Sequence, residues 1–528
     1  MGKKNQFIKI LGISTAIAAS QILATAKESM AQIDETTDEA REATEEIIKP
    51  AQPSISNTQE LNPSGNPLSF PTVPEEVRVE SQQPITLEQA LELSLANNKE
   101  IEQARLEVER AEFALREERA ALFPTLDFTT SFSFGDDAFL DGPLQQTFEE
   151  AVESGVEAGL TEEEAQAQAE SGVSGSSGST STSSFDYNSN ISIDYTIFNS
   201  GLRGASIRTA EKQLRSEVLD LERIVEEARF ETARDYYNLQ NNDAQVEIQE
   251  AAVEDAQQTL RDAQLLERAG LGTRFDVLRA EVELAQANQR LTTAIANRRI
   301  ARRQLAETLS VSHSTDLATA DAIEVAGAWE KGLDETIILA FKNRAELEQF
   351  LLQREIGEEQ RTVALSATRP SVSASADYTL LDDFEDDFDT SDQYSVGLNL
   401  QWRLFDGGAS RAGARQAEKD IEIAETQFAN QRNQIRFAVE QAFFQLESNL
   451  SNIGTATRAV ELAEESLRLA RLRFQAGVGT QTDVIEAQTS LTTERGNLLS
   501  SITDYNQSFA DLNRQVSNTP DNGLQDLP

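Results

Sequence analysis

Two stretches of this chain are copies of one another, and that duplication constrains the fold more than any other feature. Leu87, Asn97 and Pro124 recur as Leu333, Asn343 and Pro370, each 246 positions on. Phe198 and Gly201 recur as Phe405 and Gly408, 207 positions on. The same 207 carries Gly270, Gly272, Thr273, Asp276, Val277, Ala280 and Leu284 onto Gly477, Gly479, Thr480, Asp483, Val484, Ala487 and Leu491. The offsets differ by 39, so the first copy holds 39 extra residues between Pro124 and Phe198. One structural unit is therefore built twice, from residues 85–310 and 333–517, with 311–332 as the linker.

Each copy reads as helix, strand, loop, strand, long helix, turn, helix. The first helix runs from Leu87 to Leu122 and stops at Pro124, which has no amide to continue it. Thr125 to Phe134 then alternates, with Leu126, Phe128, Phe132 and Phe134 on one face and Asp127, Thr129, Ser131 and Ser133 on the other. Phe185 to Phe198 alternates likewise, and the second copy repeats the pattern from Val372 to Leu380 and from Tyr394 to Leu404. Period-two alternation over about ten residues marks a strand with one apolar and one polar face. A soluble sandwich would show the same alternation, but three features favour a membrane barrel. The strands have transmembrane length. Aromatics stand at both ends, Phe123, Phe198, Trp402 and Phe405 at one and Phe134, Phe185, Tyr378 and Tyr394 at the other, as interfacial girdles do. Lysine and arginine vanish between Arg119 and Arg203 and again between Arg369 and Arg403.

Four strands do not close a barrel, and an open edge is not viable in lipid. The strands must be pooled between copies of the chain, eight from a dimer or twelve from a trimer. The helices that follow are unusually long. Arg203 to Glu267 covers 65 residues, about 98 Å at the helical rise. Its counterpart, Ala409 to Phe474, shows a seam at alternating steps of four and three: Ile435, Val439, Ala442, Leu446, Asn449, Ile453, Ala456, Val460, Ala463, Leu467, Ala470 and Phe474. That period of 3.5 demands coiled-coil packing. The first copy keeps Leu239, Asn242, Val246, Val253, Ala256, Leu260 and Ala263. Asn242 and Asn449 coincide under the 207 offset and read as polar residues that set the register.

Composition removes whole classes of function. The chain has 528 residues, a formal net charge of −44, one histidine (His313) and no cysteine. Nucleic-acid binding needs an excess of basic residues. Soft-metal and thiol chemistry has no raw material, and no phosphate loop or nucleophile elbow occurs, so neither an enzyme nor a cofactor is expected. The absence of cysteine also excludes disulfides and an acylated N-terminal cysteine. Residues 1–31 read as a secretory signal, with Lys3, Lys4 and Lys9 ahead of a short apolar core and two small-residue cleavage sites, Ala24-Thr25-Ala26 and the favoured Ser29-Met30-Ala31. Residues 32–84 are rich in Pro, Ser and Glu and read as disordered, and 518–528 form a C-terminal tail. Residues 135–184 read as a long acidic, then Ser/Gly-rich loop, and 381–393 as a short acidic one. Neither has EF-hand spacing, and both are expected to be solvated external loops rather than metal sites, the longer one partly covering the barrel mouth.

The helix–Pro–strand hairpins, the junctions Ile197-Phe198-Asn199-Ser200-Gly201 and Leu404-Phe405-Asp406-Gly407-Gly408, and the tips Ala269-Gly270-Leu271-Gly272-Thr273 and Ala476-Gly477-Val478-Gly479-Thr480 together resemble the TolC family of outer-membrane efflux proteins. The resemblance covers roughly residues 85–517 and implies a mainly helical protomer with four membrane strands, assembled as a homotrimer with a twelve-stranded barrel and a helical tunnel into the periplasm. It implies a passive exit duct in the outer membrane for efflux or type I secretion. A periplasmic adaptor would dock on the tips Gly270, Leu271, Gly272, Thr273, Gly477, Val478, Gly479 and Thr480, with an inner-membrane pump or ABC transporter behind it. Position by position, Asp483 and Glu486 would form an acidic ring at the pore entrance with Asp276 as neighbour, and Phe198, Tyr378, Tyr394, Trp402 and Phe405 would mark the membrane interface. At both tips a plainer reading competes, in which glycine turns the chain and threonine and aspartate cap the next helix. Gly479 stands where some family tips carry arginine, so an ionic latch would have to differ, with Arg274 as its candidate. The other reading of the chain is a periplasmic coiled-coil adaptor or scaffold.

Overall fold

The computed structural model describes residues 68, 70, 72, 73, 78 and 81–517, apart from 137, 177–182, 313–314 and 384–390. The signal segment, most of the 32–84 segment, His313 and the tail 518–528 lie outside the described residues. In chain order the elements of the first copy are β1 (Ser81–Ile85), α1 (Leu87–Asn97), α2 (Lys99–Ala120), β2 (Thr125–Asp136), α3 (Ala138–Glu157), α4 (Glu162–Ser176), β3 (Ser183–Phe198), α5 (Leu202–Arg268) and α6 (Arg274–Thr308). Then come β4 (Thr315–Thr319), α7 (Leu333–Asn343), α8 (Ala345–Ser366), β5 (Ser371–Asp383), β6 (Ser391–Gln401), α9 (Ala409–Gln475) and α10 (Gln481–Val516). The chain divides into two compact units, one of residues 1–115, 210–357 and 419–528 and the other of 116–209 and 358–418.

The second unit holds a four-stranded antiparallel sheet in the order β2-β3-β5-β6. Its register keeps every apolar row on one face. Phe128 lies opposite Ile191, Ile191 opposite Tyr378, and Tyr378 opposite Tyr394, while Leu126, Ile193, Ala376 and Val396 form the adjoining row. The other face pairs Asp127 with Ser192, Ser192 with Asp377, and Asp377 with Ser395, whose hydroxyl donates to Asp377 at 3.1 Å. Phe198, Tyr378, Tyr394, Trp402 and Phe405 are exposed in the single chain. They do not form level rows in the register: Tyr378 and Tyr394 share the row of Phe128, six residues short of the Phe134–Phe185 pair. Tilted strands in a barrel are staggered, so an even girdle does not require an even register. The strands meet their helices through matching caps. Asn199 accepts from the Arg203 amide at 3.2 Å, and Asp406, at the same place in the second copy, accepts from the Gly408 and Ser410 amides at 2.9 and 2.7 Å.

The expected loop 135–184 is not a loop: α3 and α4 form a helical hairpin there. Gly159, at φ +92°, ends α3, with the Leu160 amide bonded back to the Gly155 carbonyl at 3.2 Å. Thr161 and Glu164 make a capping box that starts α4. A Cβ on Gly155 would lie 2.9 Å from that of Ala165, so the absence of a side chain lets the two helices touch. The acidic and small residues read as solvated loop are the polar faces of two short helices packed through buried Ala165 and Ala169.

The first unit holds the coiled coil, and the seam on α9 is where the heptads put it. Ile435, Val439, Ala442, Leu446, Asn449, Ala456, Ala463 and Leu467 are buried, against Val484, Ala487, Leu491, Tyr505, Leu512 and Val516 of α10. On α5, Leu239, Val246, Val253, Ala256 and Ala263 are buried, the last three against Val277, Ala280 and Ala287 of α6. Asn449 donates to the Asp504 carbonyl at 3.1 Å and the Ser508 hydroxyl at 2.8 Å, both on α10. Asn242 instead bonds the Asn238 carbonyl of its own helix at 2.8 Å, so only the second copy has a register-setting asparagine.

Three further expectations are corrected. The helix expected over Leu87–Leu122 is broken at Asn98, whose Oδ1 accepts from the Glu100 and Ile101 amides at 2.8 and 3.2 Å and so starts a new helix. The second copy breaks at the equivalent Arg344, which pairs with Glu346 and donates to Gln515 at 2.8 Å. The 32–84 segment ends in a strand and the 311–332 linker contains one: β1 and β4 pair in parallel, Ser81 with Thr315 through Ile85 with Thr319. Asp321 ties this pair down by accepting from the Leu87 amide and the Tyr236 hydroxyl, both at 2.7 Å. No helix among the described residues is long and apolar enough to cross a membrane.

Candidate functional site

The two hairpin tips are where the duplicated sequence is most alike, and their geometry is nearly superposable. Each long helix ends in glycine, Gly270 at φ +73° and Gly477 at +72°, a left-handed conformation that ordinary side chains resist. The Leu271 amide returns to the Leu266 carbonyl at 2.8 Å, and the Val478 amide to the Arg473 carbonyl at 3.0 Å. Gly272 and Gly479 sit so close over the preceding turn that a Cβ would lie 3.1 and 3.0 Å from the Cβ of Leu266 and Arg473. The turns leave Leu271 and Val478 at the ends, 80% and 70% exposed.

Threonine and aspartate then start the return helices. Thr273 donates its amide to Asp276 Oδ2 at 2.9 Å while the Asp276 amide donates to Thr273 Oγ1 at 3.3 Å. Thr480 and Asp483 repeat this at 2.9 and 3.2 Å. Both aspartates are thus committed as capping acceptors. The bonds from Thr480 also hold the Asp483 carboxyl below the usual range, so it keeps its charge. Glu486 has no capping partner within its turn. It projects from α10 with the Arg279 guanidinium 4.0 Å away, and Arg279 donates to the Thr482 hydroxyl at 2.7 Å.

At the tips, Arg279 is thus a cation that reaches from one hairpin to the other. Sequence reasoning missed it, although the signal was present: 279 and 486 are equivalent under the 207 offset, so the two copies carry opposite charges at one position. Higher up, Thr259 on α5 and Gln488 on α10 bond through their side chains at 3.2 Å, and Arg471 on α9 reaches Asp255 on α5 at 2.7 Å. Among the described residues no group of three or more His, Cys, Asp or Glu side chains is placed to hold a metal.

The fold matches solved structures over most of its length. A membrane protein from Pseudomonas aeruginosa superposes with a TM-score of 0.67 at 16% identity, over 81% of this chain and 93% of that one. The outer membrane protein VceC from Vibrio cholerae superposes at 0.65 and 17%, over 81% and 95%. In sequence, the chain is 27% identical over 201 residues to the outer membrane efflux protein BepC of Brucella suis, covering 37% of this chain and 42% of BepC. The chain thus spans about two fifths of that relative's length. The profile of the outer membrane efflux protein family matches residues 164–310 and 336–516, across both copies of the repeat. On that match the chain belongs to the outer membrane efflux protein family.

Proposed function

We propose that this chain is one protomer of a passive exit duct in the outer membrane, serving a tripartite efflux pump or a type I secretion system. The observation that carries the reading is the sheet. It has one continuous apolar face and two edge strands, β2 and β6, with no further strand beyond either among the described residues. In lipid those edges must be paired. Because four strands alternate in direction, β6 of one copy meets β2 of the next as an antiparallel neighbour, and the pattern repeats around any ring. Three copies make a barrel of twelve strands, the number the family resemblance implies. The apolar face then meets lipid, with Phe198, Tyr378, Tyr394, Trp402 and Phe405 toward its boundaries, and the Asp127–Ser192–Asp377 face lines water.

The tips are the proposed entrance and docking end. Leu271 and Val478, held out by their glycine turns, offer a periplasmic adaptor its apolar contact, and Gly270, Gly272, Thr273, Gly477, Gly479 and Thr480 shape the surface around them. Glu486 supplies the carboxylate least committed to folding, while Asp276 and Asp483 add charge from their capping positions. Carboxylates repeated around one constriction favour cations. The test is single-channel recording of the purified full chain in a planar bilayer, with and without Glu486→Gln. A cation-preferring conductance whose preference falls in the variant is expected. A monomer that stays soluble without detergent and shows no conductance would replace the duct with an adaptor or scaffold.

A further inference from the structure

With 90 acidic residues against 46 basic ones, this chain has carboxylates to spare for every arginine. Four arginines where the second strand pair passes into its helices nonetheless take none. Arg369 and Arg403 stand two residues beyond Ser371–Gln401, the last rung between β5 and β6, and Arg411 and Arg415 follow one turn apart at the start of α9. All four are exposed, and among the described residues none of their guanidiniums has a hydrogen-bond or ion-pair partner. Asp406, the carboxylate closest to Arg403 in sequence, is committed to the Gly408 and Ser410 amides.

Folding does not account for these cations. Under the repeat offsets of 246 and 207, the first copy builds the same junction with Phe123, Thr196 and Gly204 at the places of Arg369, Arg403 and Arg411. Arg208 stands at the place of Arg415, but it pairs with Glu359 at 2.7 Å. Arg411 also lies in the first turn of α9, where the helix dipole disfavours positive charge. Arg403 lines an open cleft of about 540 Å³ between the end of α8 and the start of α9, with room left by Ala364, Ala367 and Ala409. Beyond Gln401 the ladder has ended, so Arg403 leaves the two-faced alternation of β6 and shares the cleft with Phe405, which is exposed. Trp402, also exposed, is fixed beside it by its indole N–H, which donates to the Thr368 carbonyl at 3.2 Å. A space walled by methyl and aromatic groups, with cations at its side and an apolar sheet face beyond, suits an amphiphile with an anionic head.

We propose that this cleft seats an acidic phospholipid of the periplasmic leaflet, with Arg369 and Arg403 on its phosphate and its acyl chains along the apolar face past Trp402 and Leu400. This rests on the membrane reading of the sheet given above. Arg411 and Arg415 add to the positive field over the headgroup. The first copy lacks the cations, so each protomer carries one such site.

Trp402 is a reporter inside the site, and Trp329 is the only other tryptophan. The full chain is reconstituted in phosphatidylcholine vesicles that hold an equal minor fraction of either dibrominated phosphatidylglycerol or dibrominated phosphatidylcholine, and tryptophan quenching is compared. Phosphatidylglycerol is expected to be enriched about fivefold or more beside Trp402, and so to quench more strongly. The double variant Arg369→Gln, Arg403→Gln is expected to be quenched equally by both lipids. Equal quenching in the unsubstituted chain, or a preference that survives in the variant, would overturn the site. Loss of the preference on adding inorganic phosphate at constant ionic strength would replace the lipid with a soluble anion. A variant with altered ion selectivity and unaltered quenching would place the arginines on the water path instead, and that too would overturn the site. Quenching by neither lipid would remove the membrane sheet together with the site, whereas equal quenching removes the site alone.

Discussion

Glu222 offers the sharpest stability test of this structure. It lies on α5 where the start of α8 and the end of α10 come in, and only 4% of it is exposed. Burial, with Glu226 one turn on and Glu346 and Glu348 on α8, pushes its carboxyl up to about 7, against a smaller opposing pull from Arg215. The other guanidiniums nearby are already engaged, Arg344 with Glu346, Arg514 with Glu227 and Arg223 with Asp220. A carboxyl raised in the folded state holds a proton that the unfolded chain has released. Its effect is therefore small below the unfolded value near 4.5, and stability falls as pH rises from there to about 7. Above pH 7 the full cost is present, about 3 kcal/mol at 1.36 kcal/mol per pH unit.

Glutamine copies the protonated side chain and carries no such cost. Glu222→Gln should therefore stabilise the protein by about 3 kcal/mol at pH 8 and by under about 1 kcal/mol at pH 5. Urea midpoints of the detergent-solubilised protein at the two pH values read this directly, with the slope checked for equality. Because the site is buried within one protomer, assembly can only deepen its burial, so the sign does not depend on oligomeric state. Equal gains at both pH values, or a loss at pH 8, would show that the carboxylate is ionised and held by its arginines, and the reasoning would fail.

Asn449→Ala should cost about 1–3 kcal/mol by stranding its partners on α10, whereas Asn242→Ala, at the equivalent position, should stay within about 0.5 kcal/mol. Urea midpoints of the two variants check the order, and the reverse would restore a shared register role. Gly477→Ala should cost about 1 kcal/mol through its left-handed φ without altering the seam. Its far-ultraviolet circular dichroism should match the parent, with only the unfolding midpoint lowered.

The parts of this fold that repeat in short periods were legible. Every α9 residue assigned to the seam is buried or packed against its core, and the strands lie within three residues of their alternating runs, because those patterns are imposed by neighbours on the same element. What was hidden depends on a single side chain or on distant partners. The break at Asn98 is made by one carboxamide inside a stretch whose composition favours helix throughout. The pairing of β1 with β4 joins residues more than two hundred positions apart, and five-residue strands leave little periodicity to detect. For the α3–α4 hairpin the signal existed in Thr161 and Glu164, a capping box set among residues that read as loop.

The places where the copies differ are more informative about assembly than those where they agree. Shared residues, the glycine turns, threonine caps and seam alanines, build a hairpin that serves equally in either half. Two hairpins packed side by side have to recognise each other, which identical surfaces at equivalent positions do poorly. Arg279 and Glu486 occupy one repeat position with opposite charge and meet across the tips. The asparagine equivalent to the buried Asn449 bonds its own helix, leaving α5 free to take Thr503 of α10 through Asn241 at 3.0 Å. Divergence at these positions makes the two hairpins distinguishable from one another. The two halves of the repeat are thus joined at positions where they diverged, with Arg279 facing Glu486 and Asn241 bonded to Thr503.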